Sequence, residues 1–142
     1  MASHPKFSLS VVTPNGAAFE GEAEMVVVPG AAGEIGVLAR HAPLVAMLNA
    51  GSTRVYLDVD ASDVQTFATG PGFFQVLEDR AIALVDDAVT ADEIDAAEAQ
   101  RRLDEAQAEL ERVEAGDSTA DRWQLEQRIR HAENQLNVSG RS

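Results

Sequence analysis

Any chemistry in this chain has to come from carboxylates, hydroxyls and three histidines, because cysteine is absent. That absence excludes a thiolate nucleophile, a disulfide and thiolate-ligated zinc. The densest acidic run, Asp58-Val59-Asp60-Ala61-Ser62-Asp63, opens like a calcium loop. It fails at two positions: Asp63 stands where the sharp turn needs Gly, and the twelfth residue is Thr69 instead of a bidentate Glu. The run reads as a charged turn between two strands. His4, His41 and His131 occupy three separate contexts, so no ligand spacing joins them. Asp86 and Asp87 are adjacent, and adjacent side chains of a strand point to opposite faces, so the pair reads as the end of a strand. Gly30, Gly33 and Gly36 recur every third residue, which is neither a dinucleotide fingerprint nor a P-loop, and the one lysine, Lys6, precedes them. No nucleophile-elbow pattern is present. These residues predict no catalytic residue, no metal site and no cofactor.

One segment is left over. Residues 28–44 are glycine-rich and mildly apolar, yet carry isolated polar residues at Glu34, Arg40 and His41. That mix suits a recognition loop on a rigid scaffold. It equally suits an ordinary long connection in which Pro43 keeps the residues before it extended. Composition alone leaves both readings open.

The elements that would position such a segment follow from the rest of the chain. Its 142 residues predict one domain, or a small domain with an appendage. A formal net charge of −13 argues against nucleic acid as a partner, since phosphate binding needs clustered cations. No apolar run approaches the roughly 20 residues of a membrane span. The N-terminal residues contain no signal-peptide core, so the expectation is a soluble, unexported chain. All five prolines and eight of the ten glycines precede Thr90, and strong helix formers dominate after it. The expected division is therefore 1–89 and 90–142.

The first part predicts short strands at 7–12, 24–28, 52–57, 64–69, 73–77 and 81–85, rich in Val, Phe and Ile and bounded by turn residues. Strands at this spacing without intervening helices predict an antiparallel sandwich or barrel. The stretch 42–48 alone looks helical. The second part predicts a helical hairpin. Thr90-Ala91-Asp92-Glu93 has the form of a capping box. Ala96, Ala99, Leu103, Ala106, Leu110 and Val113 form one apolar stripe, and Gly116 is placed to end the helix. Ser118-Thr119 offers a second N-cap, and Leu125, Ile129, Ala132 and Leu136 give the facing stripe. A two- to five-residue connection would set the helices antiparallel. The fold class is thus α+β: an N-terminal antiparallel β-sandwich followed by a C-terminal antiparallel two-helix hairpin. So narrow a hairpin should be stable mainly when docked.

Four blocks in order resemble the epsilon subunit of bacterial F-type ATP synthases, whose mitochondrial counterpart is called delta. They are Phe7–Pro14 (FSLSVVTP), Gly33-Glu34-Ile35-Gly36-Val37-Leu38 with His41-Ala42-Pro43-Leu44, the Thr69-Gly70-Pro71-Gly72-Phe73 turn, and the helical hairpin. Two departures stand out. The family commonly has Pro-Gly where this chain has Ala39-Arg40, and Gly-Gly where it has Pro71-Gly72. The resemblance implies about ten strands and a non-catalytic central-stalk rotor subunit that couples proton flow to ATP synthesis. It implies docking on the gamma subunit and on the polar loops of the c-ring, and C-terminal helices that extend toward the alpha/beta catalytic subunits and block ATP hydrolysis. The implied contact residues are Thr13, Glu34, His41, Ala42 and Leu44. With no transit-peptide pattern, the implied location is the cytoplasmic face of a bacterial plasma membrane, as a peripheral protein. Some family members bind ATP through Ile/Leu-Asp-x-x-Arg-Ala on the first helix. Here Ile94-Asp95-Ala96-Ala97-Glu98-Ala99 puts an anion in the place of the arginine, with His131 and Gln135 at the matching second-helix positions, so no nucleotide binding is expected. The alternative is an unrelated β-sandwich binding module with a helical dimerisation hairpin.

Overall fold

The structure, a computed structural model, describes residues 4–60 and 63–140. Ala61 and Ser62 of the charged turn lie outside the described residues. Ten strands come first: β1 (Phe7–Thr13), β2 (Gly16–Ala23), β3 (Met25–Gly30), β4 (Gly33–Leu38), β5 (Leu44–Leu48), β6 (Gly51–Asp58), β7 (Asp63–Thr69), β8 (Gly72–Leu77), β9 (Arg80–Val85) and β10 (Ala88–Thr90). A single 3-10 turn (Ala91–Glu93) leads to helices α1 (Ala96–Glu114) and α2 (Arg122–Ser139). The six strands expected from residue pattern are present.

The other four show what pattern alone overlooks. β2 alternates weakly and contains Gly16 and Gly21. β4 lies in the segment whose composition left two readings open. The stretch 42–48 is not helical: it contains β5, which pairs with β8 along its whole length, Leu44 opposite Val76 and Leu48 opposite Gly72. A short apolar run has no decisive period, and strand pairing settled it.

Hydrogen bonding runs along the path β10-β7-β6-β3-β5-β8-β9-β1-β2, with β4 also on β3. β3 and β5 pair at Gly30 and Leu48, and there the path turns from one layer into the other. Alternate residues point inward, so Leu9, Val11, Val26, Val28, Val37, Val55, Phe67 and Phe74 meet in one core. Every pairing is antiparallel except β1 with β9, which run parallel. Those two strands are far apart in the chain, so no hairpin dictates their relative direction.

The expected capping box does not form. Thr90 is the last residue of β10, paired with Phe67 and extended at φ −65°, ψ 149°, and its side chain makes no cap. α1 starts later, where the Asp95 carboxylate accepts the Glu98 N–H at 3.1 Å. At the other end Gly116 has φ 80°, its N–H donating to Val113 and that of Asp117 to Arg112, the paired bonds of a Schellman stop. α2 is capped by Asp121, not by Ser118-Thr119; the Asp121 carboxylate accepts the N–H groups of Trp123 and Gln124. Ser118 donates to Glu109 instead and so ties the connection back to α1.

Candidate functional site

The five residues implied by the resemblance do not converge. Thr13 closes β1, where its hydroxyl donates to the Gly16 carbonyl and accepts the Asn15 N–H, both at 3.1 Å, shaping the β1–β2 turn. Glu34 is exposed on β4 and pairs with Arg54 of β6 at 3.3 Å. His41 is half-buried in the β4–β5 loop, its Nδ1 2.7 Å from the Ala42 carbonyl, while Ala42 is exposed. Leu44 packs against the core cluster. Through the register of β5, β8, β9 and β1, Leu44 lies level with Val76, Ala81 and Leu9, whereas Thr13 follows the row that ends at Leu84 and Val12. The two therefore mark opposite ends of the strands.

Between them lies a surface that the motifs did not point to. On the outer face of the β5-β8-β9-β1 layer, Met47 pairs with Phe73, Phe73 with Leu84, and Leu84 with Val12. This is an apolar row across four strands. Met47 and Val45 are each 62% exposed and Leu84 49%, with Ile82 half-buried one row away. A strand with one solvated face normally alternates apolar and polar residues. β5 reads Leu-Val-Ala-Met-Leu, with no polar residue at its outward positions. That signal was present in the sequence and was obscured by the helical reading of 42–48.

The hairpin attaches elsewhere, on β6 and β7. Its two helices share a seam of Ala99 and Ala106 against Leu125 and Ala132, all buried, while the buried Val138 lies on the side of α2 that carries His131 and Asn134. Polar contacts from Asn134 and His131 tie α2 to the sandwich. The Asn134 amide donates to the carbonyls of Gly51 and Thr69, both at 3.2 Å, and His131 Nε2 lies 3.4 Å from Asp87. Asp86 packs over Gly70 so closely that a Cβ there would overlap its carboxylate. The desolvation raises the Asp86 carboxyl above the ordinary range, opposed by the nearby His131.

On α1, Glu98 receives hydrogen bonds from both Arg101 and Arg102, and these hold its carboxyl down at about 2. Arg101 also pairs with Glu105. The two arginines nearest the altered nucleotide motif are thus already engaged with carboxylates. Among the described residues no group of three His, Asp or Glu is placed to hold a metal ion. Among the described residues no helix is long and apolar enough to cross a membrane.

The fold is thus a β-sandwich with an apolar row on one outer face, joined to a two-helix hairpin. A family model described as ATP synthase, Delta/Epsilon chain, beta-sandwich domain matches residues 6–91. The ATP synthase epsilon chain of Rubrobacter xylanophilus is 34% identical over 134 residues, covering 92% of this chain and 90% of that one. Its counterpart in Halalkalibacterium halodurans is 35% identical over 137 residues, covering 96% and 99%. The fold is shared with a chain in the cryo-EM structure of Euglena gracilis mitochondrial ATP synthase containing OSCP, F1 and c-ring, at a TM-score of 0.77 and 21% identity, covering 99% of this chain and 85% of that one. A chain of the Tetrahymena thermophila mitochondrial ATP synthase central stalk and c-ring matches at 0.60 and 12%, covering 97% and 99%. The chain belongs to the delta/epsilon family of ATP synthase subunits, a non-catalytic part of that complex. This sets aside the alternative of an unrelated sandwich with a dimerisation hairpin.

Proposed function

We propose that the chain acts in the central-stalk rotor of a proton-translocating F-type synthase, with the sandwich docked on the gamma subunit through the Met47-Phe73-Leu84-Val12 row. The observation that carries this reading is that Met47 and Leu84 of that row are exposed and Phe73 and Val12 half-buried, so apolar area aligned across four strands stays in water unless a partner covers it. Thr13 at one end of the strands and the His41-Ala42 loop at the other border the docked partner, with Leu44 supporting the loop from the core side. Glu34, exposed on β4, faces the polar loops of the c-ring. The hairpin is a second module; the expected 89/90 division falls inside β10, so Thr90 stays with the sandwich and the hairpin begins beyond it. Released from Asn134 and His131 contacts, it extends toward the alpha and beta subunits and blocks ATP hydrolysis. The chain's relatives are epsilon chains of bacterial ATP synthases, and its fold recurs in mitochondrial central-stalk and c-ring assemblies; both support this reading. The location follows as the cytoplasmic face of a bacterial plasma membrane, held there by the complex.

The test is Met47→Asp combined with Leu84→Asp. Both positions are exposed, so thermal stability should stay within about 0.5 kcal/mol per site. Co-purification with gamma should be lost. Normal binding by a folded double variant would overturn the docking face.

A further inference from the structure

Among the described residues, three that are not glycine adopt left-handed backbone conformations: Arg40 (φ 63°), Glu78 (φ 49°) and Asp79 (φ 58°). A Cβ disfavours that region, so each is held there by its surroundings. Glu78 and Asp79 are the central pair of the two-residue β8–β9 hairpin, closed by Leu77 opposite Arg80. Such turns need positive φ at both positions and usually place Asn and Gly there. Arg40 lies in a different segment, the β4–β5 loop, 39 residues earlier.

Asp79 joins these places. Its carboxylate accepts the Arg40 backbone N–H, and its own carbonyl accepts the Ser8 N–H at 3.0 Å. One residue thus holds together the β8–β9 turn, the beginning of β1 and the loop that carries His41 and Ala42. The His41 ring bonds the neighbouring Ala42 carbonyl, which shapes the loop without attaching it to the sandwich. The strands that frame the clip end in exposed leucines, Leu38 on β4 and Leu77 on β8. A glycine at position 40 would take the left-handed form unaided. With arginine in its place, the loop depends on an outside partner, and a charged acceptor on a backbone N–H is the stronger kind of hydrogen bond.

We propose that Asp79 is a positioning residue for partner docking: by capping the Arg40 N–H it holds loop 39–43 in the pose that presents His41 and Ala42. The proposal rests on the docking reading given above. Strain gathered in one place and tied across three segments is the mark of a conformation the fold maintains for use.

The experiment compares full-length Asp79→Gly, Asp79→Asn and Asp79→Gly/Arg40→Gly with the parent chain. Asp79→Gly removes the carboxylate while suiting the positive φ of its own turn, so the hairpin is retained. Two readouts are taken: backbone amide exchange of residues 39–43 in the chain alone, and affinity for purified gamma subunit. Asp79→Gly should release the loop amides, and the gamma Kd should rise about tenfold as the competent fraction of loop falls to about a tenth. Asp79→Asn keeps an acceptor oxygen and tolerates the left-handed region, so its Kd should stay within about threefold of the parent. Arg40→Gly in the Asp79→Gly background should recover most of the affinity, because glycine holds the conformation without a cap. Unchanged loop exchange in Asp79→Gly, or equal losses in Asp79→Asn and Asp79→Gly, would overturn the proposal. So would a loosened loop with unaltered gamma affinity, provided Met47→Asp/Leu84→Asp weakens binding. If that apolar double variant binds normally, the docking reading fails by itself.

Discussion

The sandwich and the hairpin solve burial in opposite ways. The sandwich brings Leu9, Phe67, Phe74 and a set of valines from many strands into one core. The hairpin buries two alanines of α1 against Leu125 and Ala132 of α2. One region is over-determined by long-range pairing. The other is held by a thin seam and by α2's contacts with the sandwich, among them Asn134 and His131. Regions with few buried apolar contacts open at lower free energy than the core, so the hairpin is expected to open before the sandwich does.

The sharpest way to break this contrast is to cut into each core. Phe74→Ala should cost the whole chain about 3–5 kcal/mol in denaturant unfolding. Leu125→Ala should instead leave the unfolding midpoint of the β-sheet amides nearly unchanged while exposing those of α1 and α2 to exchange. Equal global losses would mean a single cooperative unit.

Filling the alanine seam is the next largest perturbation. Ala106→Leu should spread the helices and cost the hairpin about 1–3 kcal/mol, seen as faster exchange in both helices. Removing the Asn134 amide removes its bonds to Gly51 and Thr69 together. Asn134→Ala should weaken docking by about 1–3 kcal/mol and raise exchange in α2, with β6 and β7 protected as before.

A smaller effect comes from Asp86. Its carboxyl is raised in the folded chain by desolvation, so the folded state keeps that proton to higher pH than the unfolded state. Stability contributed by the group is therefore lost as pH rises through the carboxylate range, and the ionised side chain carries a penalty at neutral pH. Asp86→Asn should raise stability at pH 7 by under about 1 kcal/mol, since the group is solvent-screened, and the gain should vanish in acid. Thermal melts across pH 3 to 7 (roughly the carboxylate titration range) read this directly. The smallest effect is none at all. With Glu98 engaging Arg101 and Arg102, calorimetry should find no saturable ATP binding below about 1 mM.

The two regions also differed in legibility. Six strands were readable because Val, Phe and Ile alternate between clear turns. β5 was not, because its outward residues are apolar and no period distinguishes a short apolar run. The same apolar outward face is the docking surface proposed above, and on that proposal a partner's requirement is also what blurs the fold signal. In the hairpin most of both stripes and the Gly116 stop are readable from local spacing, though Ala96 of the first stripe is exposed and the buried Val138 lies outside the second. The capping box was misplaced because β10 pairs with β7 and keeps Thr90 extended, a tertiary constraint that local spacing does not contain. The Arg40–Asp79 clip joins residues 39 apart, and no motif announces it.

The central claim is that the sandwich alone is the docking body and the hairpin an added arm. Ending the chain after Glu93, which keeps β10 whole, tests it in one titration against the gamma subunit. The account predicts a cooperatively folded β-domain whose Kd lies within about threefold of the full chain's, a difference of well under 1.4 kcal/mol. An unfolded fragment, or a folded one that no longer binds gamma, would contradict it.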